Sequence, residues 1–166
     1  MTERLAKSGK RATGRVFVDA NTIVSGLLFD GNEALLLDLG AAHLCELVTS
    51  EYVLEEVKRT FAKTEFSLTM DEQAFLVSYL HRCVRVYPSP SRLQVKKRAP
   101  MLEDQRDIPV VTSYAMLRCD FLVTGDKEML RKVKGAKRTK ELLKMLLGRQ
   151  SDHQTFHTRC SGKNFL

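Results

Sequence analysis

Two carboxylates in this sequence stand where an acid has more to do than carry surface charge. Asp19 closes the run RVFVD (15–19) and Asp126 closes FLVTGD (121–126), so two short, apolar, β-branched segments each end on an acid. Other acids occupy helical or turn contexts: Glu55 and Glu56 between apolar helical positions, and Asp104 and Asp107 in an Asp-x-x-Asp turn ahead of Pro109. A phosphodiester is a poor electrophile ringed by negative charge. Its hydrolysis without a covalent step calls for a metal-activated water and a positive centre at the leaving oxygen. Clustered carboxylates meet that need by holding Mg2+ or Mn2+, hard ions that take oxygen ligands and keep several waters.

The segments that would position these acids alternate between strand and helix patterns. Residues 15–19 and 121–124 read as buried strands, and 44–48 and 84–87 as two more. Helical spacing appears over 22–29, and over 33–39 after a break at 30–32. It returns after Ser50, the expected N-cap, where Leu54, Val57 and Phe61 recur. Further helices are expected over 71–81, over 110–119 with Pro109 in the first turn, and over 127–133 and 139–147, the last two separated at Gly135. Pro88, Pro90 and the basic stretch through Lys96, Lys97 and Arg98 predict a mobile loop. Strands alternating with helices predict a parallel sheet covered on both faces, whose sites form beyond the carboxyl ends of the strands. Asp19 and Asp126 both fall there.

A chain of 166 residues can bury a core of its own, and one domain is expected. No apolar run approaches the roughly 20 residues that cross a bilayer, and residues 1–15 are basic and polar, unlike a signal peptide. The expectation is a cytoplasmic protein with no membrane partner. Cys45, Cys83, Cys119 and Cys160 form no Cys-x-x-Cys pair and read as reduced thiols. Lys and Arg outnumber Asp and Glu by 27 to 20, for a net charge of +7. The excess is concentrated, with five bases against one acid over 1–15 and nine against two over 127–149. Such patches favour a polyanion, because phosphate contacts release counterions. RNA or DNA is the expected partner, with Lys132, Lys134, Lys137 and Arg138 as the nucleic-acid-binding set; a merely solvated basic face is the alternative.

The run VFVDANTIVSG (16–26) resembles the opening of PIN-domain nucleases, and FLVTGD (121–126) resembles their closing acidic strand. The resemblance covers about residues 15–148. It is most similar to the PIN subfamily grouped with toxins of bacterial toxin-antitoxin systems, whose helix after the second strand runs from a Ser to a Glu six residues on, matched by Ser50 and Glu56. It implies a PIN-like three-layer α/β/α sandwich with a central, mostly parallel sheet of four or five strands, and a metal-dependent endoribonuclease using Mg2+ or Mn2+. Carried over residue by residue, it implies Asp19, Glu56, Asp107 and Asp126 as the catalytic acids, with Asp19, Asp107 and Asp126 on the metal. Asn21, Thr22, Thr124 and Asp104 would support them. Glu55 competes with Glu56, and Asp104 with Asp107. RNA, an antitoxin protein and a second copy of the chain in a homodimer are the partners it implies. The sequence departs from the family over 134–140, which is strongly basic where a final apolar strand is usual, and this leaves the fifth strand open.

The expected organisation is a basic extension over 1–14, a PIN-like nuclease domain over 15–148 and a polar, loose tail over 149–166. Each acid also has a plainer use. Asp19 could only cap the following helix, Glu55 or Glu56 could lie on an ion-paired face, and Asp107 could only start a turn. His153, His157 and Cys160 do not complete a zinc set. Two other functions compete. One is a nucleic-acid-binding module with a degenerate PIN site, against which stands the retention of all four acids. The other is a phosphatase of the haloacid-dehalogenase type, against which stands Asn21, where such an enzyme needs a second acid.

Overall fold

The computed structural model describes residues 14–154. The extension over 1–13 and the tail over 155–166, with His157 and Cys160, lie outside the described residues. The chain runs β1 (Arg15–Val18), α1 (Ala20–Leu28), α2 (Asn32–Ala41), β2 (Glu46–Ser50), α3 (Glu51–Phe61), α4 (Met70–Cys83) and β3 (Arg85–Tyr87). It continues through α5 (Arg92–Arg98), α6 (Ile108–Met116), β4 (Phe121–Val123), α7 (Lys127–Lys132), β5 (Ala136–Lys137) and α8 (Thr139–Gln154). Short 3-10 turns stand at Thr64–Phe66 and Ala99–Met101.

All strand pairings are parallel, in the order β3-β2-β1-β4-β5. The expected α/β/α sandwich is therefore present, with five strands. Strands covered by helices on both faces read as unbroken apolar runs, and Val16, Phe17, Val18, Leu122 and Val123 are all fully buried. From β1 the chain builds outward through β2 and β3, then returns to the other side of β1 for β4 and β5. The carboxyl ends of β1 and β4 thus flank the switch point, where neighbouring crossovers part and leave a crevice.

Three local expectations change. Residues 92–98 form a helix rather than a mobile loop, because Ser91 and Gln94 make a capping box. Ser91 Oγ accepts from the Gln94 N–H at 3.3 Å, and Gln94 Oε1 accepts from the Ser91 N–H at 2.7 Å. Lys96, Lys97 and Arg98 then fall in the last turn, where the helix dipole favours positive charge. The fifth strand exists despite its basic composition: Leu122 pairs with Ala136 and Val123 with Lys137, and a two-residue, half-buried edge needs no apolar run. Gly135 makes the turn into it at φ 90°, and a Cβ there would stand 2.5 Å from the Tyr114 hydroxyl, which donates to Lys134 O at 2.7 Å. Finally, α8 continues through Gln154, so the tail expected to be loose from residue 149 begins as helix.

Ser50 occupies the N-cap of α3, but its side chain does not cap, and its buried hydroxyl has no hydrogen-bond partner among the described residues. Cys45, Cys83 and Cys119 are free thiols, and burial pushes Cys45 up to about 11 and Cys119 to about 12. Among the described residues no helix is long and apolar enough to cross a membrane.

Candidate active site

The backbone N–H of Asp19 donates to Val123 O at 3.1 Å, which ties the end of β1 to the end of β4. The side chain then bonds in two directions. Its Oδ1 accepts from the Ala20 N–H at 2.7 Å and caps α1, while Oδ2 accepts from Thr124 Oγ1 at 2.9 Å. Thr124 Oγ1 accepts in turn from the Asp126 N–H at 3.0 Å, and Asp126 Oδ1 accepts from the Met129 N–H at 2.7 Å, capping α7. Capping is thus real for both aspartates, yet it occupies one oxygen of each. Asp19 is 5% exposed. Burial pushes its carboxyl up to about 6, the bonds from Thr124 and Ala20 pull the other way, and the charges of Glu56 and Asp126 add to the rise.

Asp107 stands at the N-cap of α6 but makes no capping bond with its side chain. Burial pushes it, too, up to about 6, reinforced by the negative charges of Asp126, Asp104, Asp19 and Glu56. The charges of Glu56 and Asp126 reach Asp19, and those of Asp126, Asp19 and Glu56 reach Asp107, so acids from the end of β1, from α3, from the start of α6 and from the start of α7 stand in one electrostatic neighbourhood. The two open choices separate on their hydrogen bonds. Glu55 is exposed and paired with Lys58 at 2.8 Å, leaving the half-buried Glu56 to face the other acids. Asp104 is forked by Arg106, at 2.7 Å from Nη2 to Oδ2 and 3.1 Å from Nε to Oδ1, which holds its carboxyl below the ordinary range.

Tyr52 and Arg106 were not singled out by the sequence. The Tyr52 hydroxyl donates to Arg106 O at 3.0 Å, and burial followed by the charge of Glu56 pushes its phenol up. Tyr52 lies one helical turn before Glu56, and Arg106 precedes Asp107. Those spacings were the available signal.

Of the expected supporting residues, Thr124 touches Asp19 directly, while the buried Thr22 and the exposed Asn21 line a cleft on the other side of Thr124. The basic set does not stay together. Lys132 is engaged by Glu128 at 2.6 Å and Glu103 at 3.3 Å, so it fastens α7 to the turn that carries Asp104 and Asp107. Lys134 precedes β5 and lies at the amino end of the sheet, away from the acids, and Lys137 is half-buried in β5. Only Arg138 follows β5 to the acidic end, joined there by Lys140, which the sequence pattern did not mark.

Among the described residues, no three Asp, Glu, His or Cys side chains already stand in a metal-coordinating array. The donor chemistry nevertheless fits a hard divalent ion: every candidate is a carboxylate oxygen, and Mg2+ is commonly held by one or two carboxylates with waters completing its shell. Asp19 and Asp107 are raised first by burial and then by the neighbouring acids, and a bound cation would oppose both.

Fold and acids together define a three-layer α/β/α protein with a group of interacting carboxylates near its switch point. The family model described as PIN domain matches residues 15–128, and the chain belongs to the PIN-domain family. Among solved structures it is similar to PAE2754 from Pyrobaculum aerophilum, at 20% identity over 83% of this chain and 98% of that one, with a TM-score of 0.61. It is also similar to VapBC2 from Rickettsia felis bound to a DNA fragment from their promoter, at 11% identity over 75% and 98%, with a TM-score of 0.57. At these identities the likeness concerns the fold. No curated protein matches the chain.

Proposed function

We propose that this protein is a Mg2+- or Mn2+-dependent endoribonuclease, acting in the cytoplasm as the toxin of a toxin-antitoxin pair with RNA and an antitoxin protein as partners. The observation that carries the nuclease reading is the convergence of four acids from four separate elements at the switch point, with two carboxyls lifted to about 6. Family membership and the likeness to VapBC2 support the setting. Asp19, Asp107 and Asp126 would hold the ion, which when bound supplies an activated water and offsets charge at the leaving oxygen. Glu56, whose charge reaches both Asp19 and Asp107, would orient the attacking water and accept its proton as the new P–O bond forms and the bond to the leaving oxygen breaks. Thr124 fixes the Asp19 carboxylate by its hydrogen bond, so one ligand is oriented before the ion arrives.

The absence of a ready-made three-acid array among the described residues favours the second reading, a nucleic-acid-binding module with a degenerate site. Incubating a labelled single-stranded RNA with the purified chain in Mn2+, Mg2+ or EDTA separates them. Cleavage with metal and none in EDTA is expected. Tight RNA binding without cleavage in every metal would favour the binding module, and phosphate release from a monoester without RNA cleavage would favour a phosphatase.

A further inference from the structure

Across Thr124 from the acid pocket lies a second cleft, of about 320 Å³, that the chemistry above does not use. Thr22 and Ser25 of α1 line it, and Arg138, Thr139 and Lys140 line it from the start of α8. Thr22 and Thr139 are each 5% exposed, yet neither hydroxyl has a hydrogen-bond partner among the described residues. Neither oxygen is sealed off, so each is free to bond a group that enters the cleft its residue lines.

The rest of the lining is of one chemical kind. Arg138 O accepts from the Glu141 and Leu142 N–H groups at 3.0 and 3.1 Å, so α8 starts there and leaves its earlier N–H groups at Thr139 and Lys140 without intrahelical acceptors. The 16-residue helix directs the positive end of its dipole to the same place. The Arg138 and Lys140 side chains are exposed and form no ion pair among the described residues. Glu33 is the one acid of the lining, and no aromatic side chain offers a base a stacking surface. Donors and positive charge with no stacking wall suit a phosphate rather than a base.

A Cβ on Gly125 would meet nothing within 4 Å, and Gly125 is not at positive φ, so neither crowding nor backbone strain calls for a glycine there. We propose that the cleft binds a backbone phosphate of the same RNA strand, one flanking the scissile phosphate, which rests on the nuclease reading for the position of the latter. Thr124 is the shared wall: its hydroxyl serves Asp19 on one side and its residue lines the cleft on the other.

The test is binding of a fluorescein-labelled single-stranded RNA to the full chain in EDTA, where cleavage is off, with cleavage by the wild type measured separately in Mn2+. Arg138→Gln combined with Lys140→Gln is expected to weaken binding about tenfold and to flatten the salt dependence of log K by about 0.7 for each phosphate no longer neutralised. Gly125→Val, which adds bulk to the cleft lining and leaves the charge alone, is expected to weaken binding as well. A methylphosphonate at the flanking position should weaken binding to the wild type and have no further effect on the double variant. Wild-type affinity and salt slope in the double variant would overturn the cleft assignment and leave the nuclease reading standing. Weakened binding in the variants beside a wild type that cleaves nothing in any metal would overturn the nuclease reading and keep the phosphate cleft. A wild type that binds no RNA would overturn both.

Discussion

The hydroxyl of Thr124 donates to Asp19 Oδ2 at 2.9 Å while accepting from the Asp126 N–H at 3.0 Å, so one side chain couples the two acids that end β1 and follow β4. Thr124→Val keeps the shape and removes both bonds. The Asp126 N–H is left without this acceptor and the Asp19 carboxylate can swing. We expect about a 10–100-fold loss in Mn2+ affinity and cleavage, as for other groups that orient a metal ligand, with about 1–3 kcal/mol of stability lost. Thr124→Ser should restore most of both. Equal activity in the Val and Ser variants would show that the bond does not matter.

The Asp19 carboxyl titrates at about 6 in the folded chain, against an ordinary 3.8. Between those values the folded state binds a proton that the unfolded state has released. Without metal, the contribution of Asp19 to stability is therefore full below about pH 4, is lost as the pH rises through about 6, and stays absent above it. Asp107, raised for the same first cause, acts in the same direction. Asp19→Asn removes the ionisation and keeps a side-chain oxygen for the Ala20 N–H. In EDTA at pH 8 it should stabilise the chain by up to about 3 kcal/mol, an advantage that shrinks toward pH 4. Urea melts across that range would show it; a variant destabilised at pH 8 would contradict it.

Glu55 and Glu56 are neighbours with opposite surroundings, and so are Asp104 and Asp107. Glu56→Gln and Asp107→Asn should each lower cleavage at least about 100-fold, a loss typical of a group acting in the transition state. Glu55→Gln loses only a solvent-screened pair with Lys58 and should stay near wild type. Asp104→Asn loosens the Arg106 fork and should raise KM more than it lowers kcat. Steady-state kinetics of the four variants tests the assignment, which fails if Glu55→Gln is the inactive one of its pair.

Ser50 and Ser91 both precede helices, but only Ser91 caps. Ser91→Ala should cost about 1 kcal/mol. Ser50→Ala removes a buried hydroxyl that bonds nothing and should be neutral or stabilising, provided the small void is tolerated. Thermal melts of the two variants decide; a larger loss at Ser50 would mean its hydroxyl has a partner in solution.

The parallel sheet and the two acids beyond its strands were legible because β1 and β4 are buried on both faces, which forces unbroken apolar runs, and an aspartate follows each, directly at Asp19 and three residues on at Asp126. Glu56 and Asp107 were legible only through the family pattern, since a helix and a turn do not reveal from composition which face turns inward. What escaped is set by tertiary pairing. Residues 92–98 looked like a loop because Pro88 and Pro90 dominate the local signal, although Ser91 and Gln94 supply a capping box. The basic cluster looked like one surface because sequence proximity hides that β5 separates Lys134 from Arg138, and that Glu103 and Glu128 claim Lys132.

The measurement closest to the central claim is Mn2+ affinity and single-stranded RNA cleavage in the same samples of wild type and Asp126→Asn. Asparagine caps a helix about as well as aspartate, so the variant should melt like the wild type while losing Mn2+ affinity and at least about 100-fold in cleavage. Cleavage that persists in EDTA, or at the wild-type rate in folded Asp126→Asn, would contradict the account.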